Sequence, residues 1–249
     1  MGFIVINNNN VVCYIPAKGN SSELPNKNLK LLHGRSLVEY TLESARNFLE
    51  KKEHILVSSE SREIELITNK FGMTFLSRPA QLSLKTATVA DVLSNDISYI
   101  RELIGDEGII VILLPSSPLR SLGLIQSAYD KFTEMLSYTH LVSISPYPSP
   151  LHHRMNYNDV NLKLEFCAGI EQFTKQSQRQ SHPKHYFPNG ALYMVRVRDF
   201  IENKSFYKEG STMGFETDRI SAIDIDDNES FQLAEFILMG REYLLQKYM

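Results

Sequence analysis

The feature that most constrains this chain is an alternation over its first 145 residues. Short runs of β-branched and apolar residues are each followed by a longer stretch with helical spacing. The runs at 11–16, 54–58, 73–77, 109–115 and 140–145 read as strands, and "GIIVILLP" at 108–115 is continuous enough to be buried on both faces. Between them, "SLVEYTLESARNFLEKK" places Leu37, Tyr40, Leu42, Ala45, Phe48 and Leu49 on one broad face, and Ser36 with Glu39 forms a capping-box pattern at its start. Further helices are expected at 62–71, 87–103 and 122–136. Strands separated by helices pair in parallel, so the fold class is a three-layer α/β arrangement around a mostly parallel sheet.

The pattern breaks at "SPYPSPLHHRMNYND", where three prolines mark an excursion of about 146–188 from what is otherwise a single domain of 1–249. Strand character returns in "GALYMVRV" (190–197). "SAIDI" (221–225) reads as a last short strand, and 231–246 as a terminal amphipathic helix. The tract "NNNN" at 7–10 is a low-complexity lead-in.

A net charge of −3 gives no global basic field, which argues against broad nucleic-acid binding and leaves room for a local anion site. The longest apolar run is far too short for a membrane span, and the N-terminal segment lacks the pattern of a signal peptide. Cys13 and Cys167 are too few for a disulfide scaffold, so a reduced, cytoplasmic setting is expected. His152 and His153 are adjacent and His182 and His185 are three apart, but neither pair forms an HExxH-type set. A GxSxG elbow is absent as well, which leaves serine hydrolysis without support.

In open α/β sheets ligands bind beyond the carboxyl ends of the strands. "AKGNSSELPNKN" (17–28) stands there, after the first strand; it is either an ordinary polar loop or a cradle of backbone N–H groups and lysines for a triphosphate. It is neither a Walker loop nor a GxGxxG turn. In "AIDIDDNES" an extended backbone would point Asp224 and Asp226 the same way across Ile225. Two such carboxylates suit Mg²⁺, although Asp226, Asp227 and Asn228 could instead cap the final helix. "LLPSSPLRS" brings Ser116, Ser117 and Arg120 to the rim, or simply forms a turn and a helix start; "PNGALY" is readable as a bare turn, and Arg78 as a surface arginine.

Five stretches, in this order and spacing, change that balance: "IPAKGNSSELPNKNLKLLHGRSLVEYTLESA", "SRPAQLS", "LLPSSPLR", "RQSHPKHYFPNGALY" and "AIDIDDNESFQLAE". Together they resemble the cytidylyltransferases that make CMP-activated nonulosonic acids. These are the CMP-sialic acid synthetases and their pseudaminic and legionaminic relatives, with the CMP-Kdo synthetases more distant. The resemblance implies a Rossmann-like nucleotide-diphospho-sugar transferase fold, a homodimer built on the excursion, Mg²⁺ (or Mn²⁺), and CTP with a nonulosonic acid as substrates. It matches Ala17, Lys18, Asn20, Ser21, Ser22 and Asn28 to the nucleotide loop, with Lys27 catalytic, and Arg78 to the base and phosphates. Leu114, Arg179, Asn189 and Tyr193 match sugar-side positions, and Asp224 and Asp226 match the catalytic, metal-binding pair.

Four departures accompany the match. The family's loop continues Ser-Lys, whereas this chain reads Ser21-Ser22-Glu23; losing a charge-assisted phosphate contact costs about 1.5–3 kcal/mol. Lys85 stands where the family has Asp, Leu114 where it has a sugar-facing Gln, and Ser230 where it has an acidic residue. The sequence therefore leaves two readings: an active cytidylyltransferase, or a catalytically impaired member serving as a nucleotide-binding or partner subunit.

Overall fold

Val11, Cys13 and Ile15 face one apolar cluster while Val12 and Tyr14 face another, so the first strand is buried on both sides. The computed structural model describes residues 9–21, 23–121, 123–171 and 184–248. Its first half runs β1 (Val11–Pro16), β2 (Leu31–Leu32), β3 (Arg35–Ser36), α1 (Leu37–Phe48), β4 (Ile55–Ser59), α2 (Arg62–Phe71), β5 (Thr74–Ser77), α3 (Val89–Ile104) and β6 (Ile109–Ile112). The second half adds α4 (Leu124–Glu134), β7 (His140–Pro146), β8 (Met155–Asn158), β9 (Lys163–Phe166), β10 (Tyr186–Arg196), α5 (Val197–Asn203), β11 (Thr212–Glu216) and α6 (Asn228–Tyr248).

Seven strands form the main sheet in the order β11-β7-β10-β6-β1-β4-β5. All neighbours are parallel except β10, which runs antiparallel to both β6 and β7. α1, α2 and α4 cover one face through Val38, Leu42, Phe48, Ile64 and Phe132. α3 and α5 cover the other through Val92, Leu93, Ile100 and Phe200. α1 opens with the expected capping box: the Glu39 carboxylate accepts from the Ser36 N–H at 2.8 Å, and the Ser36 hydroxyl accepts from the Glu39 N–H.

β4 and β5 lie to one side of β1 and β6 to the other. The strand order therefore reverses between β1 and β6, and the loops leaving these two strands flank the crevice where open α/β sheets take their ligands.

Three expectations are corrected. "SAIDI" is a turn followed by a loop; Ile225 buries in a side cluster and, among the described residues, pairs with no strand. β6 ends at Ile112: the Leu113 N–H still donates to the Tyr14 carbonyl at 3.0 Å, and the chain then turns, with the Ser117 N–H donating to the Leu114 carbonyl at 3.2 Å. The final helix is apolar on more than its inner face: Phe231 and Ala234 are buried, yet Leu233, Phe236, Met239 and Tyr243 are exposed. β11 and the β8–β9 hairpin were not expected. The hairpin forms its own two-stranded sheet within the excursion. Among the described residues no helix is long and apolar enough to cross a membrane.

Candidate active site

The polar loop after β1 is held at both ends. Ala17 is buried and its N–H donates to the Ser58 carbonyl at 3.0 Å. The Asn28 amide donates to the Lys18 carbonyl at 2.7 Å, closing the loop on itself. Its middle is anchored by Leu24, which joins Leu32, Leu37, Leu119, Ile225, Phe231 and Ala234 in one apolar cluster. That cluster ties together the loop after β1, the loop after β6, the acidic loop and α6.

Gly19 is required here by close approach. A Cβ on it would come within 2.8 Å of the Ser61 Cβ. Its N–H donates to Glu60 Oε1 at 2.8 Å, while Arg78 Nε and Nη2 donate to Glu60 Oε2 at 3.0 and 2.9 Å. Glu60 thus links the loop to the buried Arg78 guanidinium. Burial alone would raise the Glu60 pKa, but the hydrogen bonds it accepts, those from Arg78 and Gly19 among them, outweigh it and hold the carboxyl below its usual value. Lys18 and Ser21 are partly exposed and Asn20 is exposed, along the same loop.

The acidic loop is built around Ile225. Its side chain is fully buried in the cluster and its N–H donates to the Ser116 carbonyl at 2.7 Å. An extended backbone with Ile225 turned inward leaves the side chains on either side, Asp224 and Asp226, turned out. Lys27 Nζ stands 2.8 Å from Asp226 Oδ1. Asp224 stays open to solvent while protein crowds its carboxylate, and its pKa is raised by that crowding and by Asp226. The Ser116 hydroxyl, Lys27 and Arg120 pull it the other way. Capping falls to Asp227, whose Oδ1 accepts from the Ser230 N–H at 2.8 Å. Ser230, a departure in the sequence, is therefore a partner in the helix cap, leaving Asp224 and Asp226 available for other use.

On the other side of the crevice, Arg120 is a buried clamp. Its Nε donates to the Ala191 carbonyl and its Nη2 to the Leu114 carbonyl, each at 2.5 Å, joining the loop after β6 to β10. Burial lowers its pKa to about 9 against the upward pull of Asp224. Leu114 is partly buried and packs with the cluster that holds Tyr193. The Tyr193 ring lies 5.4 Å from Phe206, and its hydroxyl pKa is pushed up by burial, then by Tyr207 and Asp224. Asn189 is buried: its amide donates to Ser145 Oγ at 2.9 Å and Thr217 Oγ1 at 2.7 Å, and its oxygen accepts from the Ala191 N–H. Both amide hydrogens are thus taken within the protein, in a strand whose pairing with β7 shifts register between Pro188 and Tyr193.

The mostly parallel sheet with helices on both faces is the fold class that the sequence implies. The family model described as "Cytidylyltransferase" matches residues 12–235. The chain belongs to this cytidylyltransferase family.

Among its relatives, the N-acylneuraminate cytidylyltransferase of Escherichia coli O18:K1:H7 is 26% identical over 90% of this chain, which spans 51% of that protein's length. The CMP-N,N'-diacetyllegionaminic acid synthase of Legionella pneumophila is 27% identical over 92% of this chain and 96% of its own length. The chain is therefore about half the length of some curated family members and nearly the full length of others. In fold it is similar to a CMP:2-keto-3-deoxy-manno-octonic acid synthetase solved with CTP, with a TM-score of 0.63, 15% identity, and coverage of 93% of this chain and 99% of that one.

Within this family member the structure brings Lys27, Asp224 and Asp226 together, and links Arg78 to the loop through Glu60. Ser22 and Arg179 lie outside the described residues. Sequence reading missed Glu60 as the link, although an acidic residue at the end of β4, on the ligand-binding rim, was the available signal. It also placed Arg120 on the rim without its clamp, which depends on two carbonyls distant from each other in sequence. Cys13 is fully buried and burial pushes its thiol pKa up, so it packs as a small hydrophobe.

Proposed function

We propose that this chain transfers CMP from CTP to the anomeric hydroxyl of a nonulosonic acid. The hydroxyl oxygen forms a bond to the α-phosphorus and gives up its proton to solvent, and the bond from the α-phosphorus to the bridging β-phosphate oxygen breaks to release pyrophosphate. The observation that carries this reading is the outward pair Asp224 and Asp226 flanking buried Ile225, with Lys27 2.8 Å from Asp226. Family membership and the nucleotide-loop frame support it.

Charge grows on the phosphate oxygens as pyrophosphate leaves, so a preorganised cation there lowers the barrier. Lys27 is placed to supply one, and Lys18 offers a second on the same loop. Asp224 and Asp226 fit a divalent ion: they are hard oxygen donors, and the Asp224 pKa is raised by burial of its carboxylate and then by the charge of Asp226. Mg²⁺ held there would supply Lewis-acid stabilisation of the phosphates. Arg78, locked by Glu60, is positioned for the base and phosphates, and Leu114, Asn189 and Tyr193 border the acceptor side.

Two further parts belong to the same reading. The β8–β9 hairpin exposes Tyr157, Val160, Leu162 and Leu164, an apolar surface that a second copy would cover in a homodimer. Both cysteines are free, consistent with work in the reduced cytoplasm.

Pyrophosphate release from CTP, Mg²⁺ and a panel of nonulosonic acids is the test. Turnover with at least one acid is expected. CTP binding without turnover of any acid would leave a nucleotide-binding subunit instead.

A further inference from the structure

α6 carries apolar side chains on two faces. Phe231 and Ala234 turn into the body, where Ile237 and Leu238 pack beside them. Glu235 is partly buried on this side, and Glu242 Oε2 stands 2.8 Å from His33 Nε2. Leu233, Phe236 and Tyr243 point the other way and are 51%, 66% and 62% exposed. With Gly240 they recur at spacings of three, four and three residues, the a and d pattern of a coiled-coil seam. Glu229 and Lys247, both exposed, extend that pattern by four residues at each end. Lys247 Nζ lies over the Tyr243 ring at 5.9 Å, so its side chain follows the same stripe.

Among the described residues, nothing in the packing of this chain calls for glycine at 240. Glycine is a poor helix former, and a Cβ at this position would meet nothing within 4 Å. A missing side chain on an exposed seam serves a second surface laid closely against it.

The stripe is complementary to itself when reversed. Phe236 and Gly240 lie two residues either side of Leu238, Leu233 and Tyr243 lie five, and Glu229 and Lys247 lie nine. Two copies of α6 laid antiparallel therefore oppose Phe236 to the second copy's Gly240, Leu233 to the second copy's Tyr243 and Glu229 to the second copy's Lys247. Two-fold symmetry repeats each contact. A ring meets the residue with no side chain, and opposite charges close both ends of the seam. A parallel pair would instead set glutamate against glutamate and lysine against lysine. Charge thus selects both the partner and its direction.

We propose that the outer face of α6 is a docking surface for a second copy of this chain, paired antiparallel with the two-fold axis level with Leu238. The surface is separate from the β8–β9 hairpin, so it adds its own doubling of mass whether or not the hairpin pairs. It does not depend on the CMP-transfer reading.

Sedimentation equilibrium across micromolar concentrations tests the proposal. Phe236→Glu puts a carboxylate in the middle of the seam and is expected to halve the mass of the wild-type particle. Because the ring is exposed, circular dichroism should be unchanged. Leu233→Glu is expected to do the same. Glu229→Lys and Lys247→Glu each turn both end contacts from attraction to repulsion, and each should raise the dissociation constant by about 10-fold. The double variant should return to within about 3-fold of the wild type. A glutamate variant that keeps the wild-type mass would overturn the proposal and leave the face to a different partner. A double variant no tighter than the single reversals would overturn the antiparallel pairing.

Discussion

Lys27 Nζ and Asp226 Oδ1 meet at 2.8 Å although the two residues are 199 positions apart in the chain. The contact joins the loop leaving β1 to the loop entering α6, across the point where the strand order reverses. The lysine side chain is 13% exposed and the aspartate 57%, so the pair sits at the mouth of the crevice and not in the core. A pair this exposed contributes little to stability, on the order of 0–1 kcal/mol. Its position serves charge placement.

Lys27→Met therefore separates the two roles. We expect kcat to fall by about 100-fold or more, the scale of losing one preorganised electrostatic contact. The midpoint of urea unfolding should move by no more than about 1 kcal/mol. Steady-state kinetics and urea titration on the same preparation check both halves.

Glu60→Gln tests the link between the loop and Arg78. The substitution leaves the buried guanidinium without its charged partner, and we expect a loss of about 1.5–3 kcal/mol together with weaker CTP binding. The Glu60 carboxyl is held below its ordinary pKa. A depressed carboxylate contributes stability that is complete above its unfolded value, about 4.3, and is lost as pH falls through the lower folded value. The wild type should therefore lose stability faster than Glu60→Gln as pH falls below about 5 toward the folded value of Glu60. Urea midpoints measured across that range decide it.

Ile225→Ala removes the side chain that turns both aspartates outward. It empties part of the cluster shared by Leu24, Leu119 and Phe231. Large-to-small changes at such sites cost about 2–5 kcal/mol. Because the carboxylates lose their common anchor, kcat should fall even at temperatures where circular dichroism shows the variant fully folded. Full activity in the folded variant would mean that Ile225 only packs.

His140, buried in β7 with Nδ1 2.8 Å from Thr139 Oγ1, has its pKa lowered chiefly by burial, partly offset by Asp199. The unfolded chain takes up its proton first, near pH 6.5, so stability falls as pH drops from there to the folded value. The slope reaches at most about 1.4 kcal/mol per pH unit. His140→Gln should flatten this part of the stability curve between pH 6.5 and 5, whatever it does to the absolute value.

The parts of this structure that depend on local pattern were legible in the sequence. β1, β4, β5 and α1 to α4 follow from apolar runs and helical spacing, and the capping box at Ser36 sits where Ser-x-x-Glu placed it. The parts that depend on distant partners were not. "SAIDI" has the alternation of a strand, but Ile225 faces a cluster of side chains, so the alternation positions carboxylates instead of making a ladder. β11 is a short strand containing Gly214, and only its register on β7 makes it one. At the site, Asp224, Asp226 and Lys27 were each named from motifs, whereas Glu60 and Arg120 act through contacts that no local pattern announces. Which of Asp226, Asp227 and Asn228 caps the final helix was open in the sequence, and the hydrogen bond from the Ser230 N–H gives that role to Asp227.

The central claim is that CMP transfer takes place at Asp224, Asp226 and Lys27. Pyrophosphate release from CTP and an accepted nonulosonic acid, followed as Mg²⁺ is raised in the wild type and in Asp226→Asn, tests it most directly. The account predicts Mg²⁺-dependent turnover in the wild type and none above background in a folded Asp226→Asn. Turnover that survives in Asp226→Asn with unchanged Mg²⁺ dependence would contradict it.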